Sequence, residues 1–150
     1  MSEARPAEAL FPPDTSGKPG LTLDRRIAAS PEKIYRAWTD RFEQWFAKPG
    51  GAIWRPSVNE PYFFVVFPET GGRYTHYGRF LRLEPPRLVE FTWVTETTKG
   101  AETVVTVNIT PSENGTLVQL AHSGFPDEES KDAYAGGWKS VLEELATAMA

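Results

Sequence analysis

Few side chains in this sequence could do chemistry, and the most reactive are two histidines. The chain holds His76 and His122 and no cysteine, which excludes a thiolate nucleophile, a disulfide and a cysteine metal site. An imidazole can transfer protons near neutral pH, and two imidazoles with a carboxylate can bind a metal. Strand alternation does not support a preformed site for such a metal. We therefore predict no metal and no other cofactor.

Known catalytic motifs are absent from the sequence. It contains no HExxH, no GxSxG and no phosphate-binding glycine loop. His122 follows Val118 and Leu120 at intervals of two, which places the three side chains on one face of a strand. Two interpretations of His122 stay open: a core histidine with a backbone or hydroxyl partner, or a ligand contact that could act as acid or base. We predict no catalytic residue.

Aromatic side chains are the most informative set. Strand alternation gathers them on single faces of successive strands, where they can either fill a core or line a small-molecule cavity. The predicted cavity-lining residues are Trp45, Phe46, Tyr62, Phe64, His76, Phe80, Phe91, Trp93, His122, Tyr134, Gly137, Trp138 and Leu142.

The elements that would position these residues follow from the sequence pattern. Residues 21–28 alternate as a strand, and Ser30 before a proline starts a helix. Asp40 is predicted to cap a second short helix. Residues 60–124 contain apolar runs separated by turn signals, including Asn-Gly at 114–115, which indicates an antiparallel meander.

A long amphipathic helix is predicted after Pro126, with Asp127 as its N-cap. Helical spacing puts its apolar residues on one face. They are Tyr134, Trp138, Val141, Leu142, Leu145 and Met149. Gly136 and Gly137 interrupt this helix at a cost of roughly 1 kcal/mol each relative to alanine. The pair indicates either tight packing of the helix on the sheet or space for a ligand.

Length and composition fit one α+β domain over residues 20–150, preceded by a proline-rich tail, 1–19, that is expected to be extended or mobile. The net charge of -4, with both signs interspersed, argues against a nucleic-acid partner. No segment approaches the roughly 20 apolar residues of a membrane span, and no signal peptide is visible. We expect a cytoplasmic protein.

Four segments in order resemble a known family: RRIAASPEKIYRAWTD, GRFLRLEPPRLVEFTW, TVVTVNIT and HSGFPDEESKDAYAGGW. They are similar to homologues of the activator of the heat shock protein 90 ATPase, in the START-like (SRPBCC) superfamily. The resemblance covers residues 21–148. It implies the helix-grip fold, in which a curved antiparallel sheet wraps a long C-terminal helix and two short helices follow the first strand. The segment SVNEP replaces the family's Pro-Gly-Gly turn, which suggests an altered entrance near residues 50–60.

The resemblance implies three functions. The preferred one is a binding domain that encloses a small, largely apolar ligand between the C-terminal helix and the sheet. A second is regulation of the heat shock protein 90 ATPase, although the eukaryotic co-chaperones carry a further anchoring domain for which this chain has no room. A third is a cyclase or hydrolase that uses His122. Fold alone does not choose among them, and the sequence indicates binding more than catalysis.

Overall fold

The computed structural model describes residues 9–46, 50–68 and 70–149. The elements in chain order are β1 (Gly20–Ile27), α1 (Pro31–Trp38), a 3₁₀ turn (Phe42–Gln44), β2 (Ala52–Ile53), β3 (Pro61–Val66), β4 (Tyr74–Glu84), β5 (Leu88–Trp93), β6 (Thr103–Ser112), β7 (Gly115–Ser123) and α2 (Glu128–Met149). The strands form one seven-stranded antiparallel sheet in the order β1-β7-β6-β5-β4-β3-β2. This is the predicted α+β architecture.

The core lies between the inner face of the sheet and the helices. Alternation along β7 shows how the sequence selects this face: Val118, Leu120 and His122 are buried, whereas Gln119 between them is exposed. Inward side chains of the other strands add to the same apolar cluster, together with Trp38 of α1. Removal of this apolar surface from water is the main force that holds the helices on the sheet.

Both α-helices begin at the predicted residues. The Ser30 hydroxyl accepts a hydrogen bond from the Lys33 N–H at 3.2 Å. The Asp127 carboxylate accepts from the Ser130 N–H at 2.9 Å and from the Ser130 hydroxyl at 2.8 Å. Each oxygen satisfies a backbone donor that the first helical turn leaves free.

The predicted cap at Asp40 is wrong. The 3₁₀ turn is preceded by Arg41 and receives no side-chain cap. The chain leaves α1 in a tight turn in which the Arg41 N–H donates to the Arg36 carbonyl at 2.8 Å. Asp40 lies within this turn, and its carboxylate pairs with the Arg36 guanidinium at 3.5 Å.

The predicted Asn114–Gly115 hairpin joins β6 to β7, but its two residues have different functions. Ser112 pairs with Gly115, so the turn is formed by the two residues between them, and Asn114 takes the left-handed conformation with φ 62°. Gly115 is needed for a different reason. A Cβ at this position would lie 2.2 Å from the Ile27 carbonyl oxygen, so only glycine lets β1 end so close to the hairpin.

Helix α2 buries the predicted apolar face, with Trp138, Leu142 and Leu145 almost fully enclosed. Gly136 and Gly137, in contrast, are exposed. A Cβ at either position would meet no atom within 4 Å, so the interpretation as tight helix-to-sheet packing is wrong. The glycines leave open space beside the helix. No helix in the described ranges is both long and apolar enough to cross a membrane.

Residues 9–19 run over the domain and are attached to it by backbone hydrogen bonds. The Ala9 N–H donates to the Leu81 carbonyl at 2.9 Å. The Arg79 guanidinium donates to the carbonyls of Leu10 and Phe11, each at 2.5 Å. The contact between Arg79 and the tail uses main-chain carbonyls and leaves the Phe11 side chain 88% exposed. The apolar residues of the tail therefore did not predict this attachment.

The open surroundings of the glycine pair lead to a stability prediction. Gly136→Ala and Gly137→Ala should each raise the free energy of unfolding by about 0.5 to 1 kcal/mol, because alanine restricts the unfolded chain and meets no obstacle in the helix. Chemical denaturation of the two single variants measures this. A loss of stability at either position would show that the helix packs against something there.

Candidate functional site

A cavity of about 840 Å³ lies between α2 and the part of the sheet formed by β3, β4 and β5. It exists because α2 packs on β1, at the opposite edge of the sheet. The inner faces of β3 and β4 near their junction are therefore not covered by the helix. The cavity opens to solvent beside Tyr74 and Tyr77, which are about half exposed.

Aromatic rings from the helix and the sheet form the inner wall. Trp93 of β5 contacts rings from two other elements, with its ring centroid 4.9 Å from that of Trp138 and 6.4 Å from that of Phe46. The Trp93 indole N–H donates to the Tyr134 hydroxyl at 3.1 Å, and this hydroxyl lies 2.6 Å from the Thr95 hydroxyl. These bonds hold Tyr134 against the end of β5, so its ring is a fixed part of the wall.

His122 lies behind this wall in a buried hydrogen-bond chain. The Trp138 indole N–H donates to His122 Nδ1 at 2.9 Å. An indole nitrogen can only donate, so Nδ1 is unprotonated and the neutral ring carries its proton on Nε2. Nε2 then donates to the Thr103 hydroxyl at 2.7 Å, and that hydroxyl donates to the Trp93 carbonyl at 2.5 Å.

This arrangement decides between the two interpretations of His122. Its side chain is fully buried, does not border the cavity, and uses both ring nitrogens in the chain to Trp138 and Thr103. Burial lowers the pKa of His122 to about 3, so the imidazole is neutral at physiological pH. His122 is a satisfied core histidine that is not placed to act as an acid, a base or a ligand contact.

His76 differs from His122 because it borders the cavity. Its ring stacks on Phe64 with centroids 4.4 Å apart and meets Trp93 edge-on at 4.7 Å. Burial lowers the pKa of His76 to about 4, and the Tyr74 backbone opposes this shift only partly. His76 Nδ1 is buried and has no hydrogen-bond partner in the described part of the chain.

Charged side chains lie only near the mouth, as far as the described wall shows. Arg73 comes from the segment before β4, Glu96 from the turn after β5, and Glu144 from α2. Arg73 and Glu144 are exposed. The described residues contain no cluster of three or more metal-binding side chains, so the donors present do not fit a metal.

The structure divides the predicted lining residues into two groups. The group that borders the cavity is Phe46, His76, Trp93, Tyr134, Gly137 and Trp138. The group that lies elsewhere is Trp45, Tyr62, Phe64, Phe80, Phe91, His122 and Leu142. Most of the second group sit on the same inner sheet face but fill the core, because rings from α1, the 3₁₀ turn and Trp54 cover them.

Sequence reasoning missed three residues of α2 that also line the cavity: Ala133, Ser140 and Glu144. Together with the predicted Gly137 they follow at intervals of four, three and four, which is one face of a helix. This small and polar stripe next to the apolar face was a usable signal. No residue of the segment 50–60, where the resemblance suggested an altered entrance, belongs to the described wall.

The lowered pKa values of both histidines lead to a prediction on stability. Below pH 6.5 the unfolded chain binds protons on these residues while the native state does not, so stability should fall as the pH is lowered from 6.5 toward 4. Each buried histidine contributes a slope of up to about 1.4 kcal/mol per pH unit. Denaturation curves between pH 7.5 and 4.5 measure it.

The matched variants are His122→Gln and His76→Phe, each of which removes one of the two histidines. Each should show a shallower pH slope than the wild type. An unchanged slope in His122→Gln would mean that His122 binds protons in the native state as readily as in the unfolded chain, and the assigned hydrogen-bond chain would then be wrong.

Solved structures share this architecture. A protein of Mesorhizobium loti superposes with a TM-score of 0.71 and 27% identity, over 87% of this chain and 96% of its own. An AHSA1 protein of Silicibacter pomeroyi superposes with a TM-score of 0.70 and 28% identity, over 86% of this chain and 96% of its own. A protein of Chromobacterium violaceum superposes with a TM-score of 0.75 and 22% identity, over 87% of this chain and 96% of its own. At this identity the likeness supports the fold only. The expected helix-grip fold is confirmed.

A search of curated proteins found no match to the chain. The family model described as Activator of Hsp90 ATPase homolog 1-like protein matches residues 28–150, which is most of the chain. The resemblance carried by the sequence segments is thereby confirmed. The chain belongs to the family of Activator of Hsp90 ATPase homolog 1-like proteins.

Proposed function

We propose that this protein binds a small, largely apolar molecule in the cavity between α2 and the sheet. The observation that carries the proposal is the cavity of about 840 Å³ with aromatic rings from both the helix and the sheet on its wall. Binding sites for small molecules usually measure about 300 to 1,000 Å³ and combine apolar walls with few polar groups. Proteins of this family in general bind hydrophobic ligands, which supports the same function.

The bare backbone at Gly137 supports the proposal independently. A helix interior loses up to about 1 kcal/mol with glycine in place of alanine, and no neighbouring atom requires a glycine here. Gly137 instead provides space, because it is the lining residue of α2 that has no side chain. A ligand in this cavity would lie directly against the helix backbone.

The apolar surface that a ligand buries limits the affinity to be expected. Burial of about 300 Å² of apolar ligand surface at about 25 cal/mol per Å² contributes roughly 7 kcal/mol before the entropy cost of association. This corresponds to micromolar dissociation constants at best. Binding assays should therefore be run with protein in the micromolar range.

The other two functions receive less support. The cyclase or hydrolase hypothesis depended on His122, whose two ring nitrogens are both occupied away from the cavity. Regulation of a heat shock protein 90 chaperone stays a prediction, and nothing in the described residues favours it over ligand binding. Stimulation of the purified chaperone ATPase would test it directly.

The ligand-binding proposal is tested with the neutral fluorescent probe N-phenyl-1-naphthylamine and the matched variants Gly137→Phe and Gly136→Phe. The wild type should bind the probe with micromolar affinity and enhance its fluorescence. Phenylalanine at position 137 projects into the cavity and should weaken binding at least about tenfold, which is about 1.4 kcal/mol.

Gly136→Phe is the control, because it adds the same side chain to the same helix but does not border the cavity. It should leave the affinity within about twofold of the wild type. Equal losses in both variants would indicate a general effect on the helix, and no binding by the wild type would remove the proposal.

A further inference from the structure

Glu144 is the carboxylate of α2 that borders the cavity, and it differs from the other acidic residues of this helix. Each of the others forms a salt bridge of 2.7 to 3.6 Å with a basic side chain: Glu128 and Asp132 with Lys131, Glu129 with Lys99, and Glu143 with Arg25. Glu144 has no such partner in the ranges that the structure describes. No described side chain therefore balances its negative charge at the cavity.

The position of Glu144 along the helix relates it to the inner wall. Gly137 and Glu144 border the same cavity and are separated by about two helical turns, or roughly 10 Å along the axis. Side chains on a helix lean toward its N-terminus, so a carboxylate at position 144 extends back toward Gly137. A ligand that lies against the bare backbone of Gly137 can therefore reach this carboxylate with a group that is a few atoms long.

The rest of the described wall does not offset the charge of the helix carboxylate. Arg73 precedes β4 and Glu96 follows β5, so both lie on the sheet side of the mouth, where their opposite charges cancel in the total. His76 is neutral near pH 7, because burial lowers its pKa to about 4. The rings of Trp93 and Tyr134 carry a negative electrostatic potential on their faces, which favours cations over anions.

We infer that the cavity selects an apolar molecule that carries one positively charged amine, and that the Glu144 carboxylate binds this amine at the mouth. This inference rests on the proposed function, since it names the class of molecule that the same cavity takes. A carboxylate at the mouth of a cleft with apolar walls is screened less than one on an open surface. Its charge can therefore distinguish a cationic ligand from a neutral ligand of the same shape.

The experiment compares three probes of one shape in calorimetric titrations at pH 7.5 and low salt: 2-(2-naphthyl)ethylamine, 2-(2-naphthyl)ethanol and 2-naphthylacetate. They place an ammonium, a hydroxyl and a carboxylate, respectively, at the same end of one apolar ring system. Wild-type protein should bind the amine about fivefold more tightly than the alcohol, which is near the upper end for an exposed ion pair. It should bind the acetate more weakly than the alcohol.

The variant Glu144→Gln removes the charge and keeps the shape of the side chain. Its preference for the amine over the alcohol should fall about fivefold, through weaker binding of the amine. Glu143→Gln is the matched control, because it removes the same charge from the next position of α2 but does not border the cavity. It should keep the wild-type preference. Because each preference is a ratio within one protein, partial inactivation cancels, and differences in probe hydrophobicity cancel between variants.

Three results would overturn the inference while leaving ligand binding intact. The first is that the wild type binds the alcohol or the acetate as tightly as the amine. The second is an unchanged preference in Glu144→Gln. The third is an equal fall in Glu144→Gln and Glu143→Gln, which would show that only the net charge of the protein matters. Absence of binding for all three probes would instead contradict the proposed function itself, and the inference with it.

Discussion

The buried hydrogen-bond chain from Trp138 through His122 and Thr103 to the Trp93 carbonyl is the constraint on which the rest of the structure depends. It joins α2 to β7, β6 and β5 in a buried region, where an unpaired donor or acceptor is costly. Rotation or sliding of α2 would leave an indole N–H and an imidazole nitrogen unpaired, at about 1 to 3 kcal/mol each. Apolar burial holds the helix on the sheet, but this chain fixes where on the sheet it lies.

The position of α2 in turn creates the cavity. The helix packs on β1 at one edge of the sheet, so the inner face near β3 and β4 is not covered by it. Trp93 serves both regions, because its carbonyl ends the hydrogen-bond chain while its ring stands in the cavity wall. The core and the cavity wall are therefore parts of one aromatic cluster, in which the packed core supports the rings that border the cavity. Such a preformed wall would reduce the ordering cost of the proposed binding.

The two histidines are both buried, but they differ in their surroundings. Both are neutral at pH 7 because desolvation disfavours the imidazolium form. His122 has partners on both nitrogens and stabilises the core, whereas the ring of His76 borders a space that a ligand could fill. No sequence pattern distinguishes the two histidines, since both lie on the inner faces of strands. Their difference comes from which neighbours reach them across the sheet.

The sequence by itself determined the α+β fold, the order of the elements and the inner face of each strand, because alternation, helical spacing and capping residues such as Ser30 and Asp127 act over a few residues. It also indicated rings that border the cavity, among them Trp93 and Trp138. Tertiary structure decided the rest: that Phe80 and Phe91 fill the core, that Gly137 faces open space, and that the tail attaches to Arg79. A periodic pattern gives the direction of a side chain, whereas a cavity depends on distances between elements far apart in the chain. Those distances are set by the packing of α2 against the far edge of the sheet.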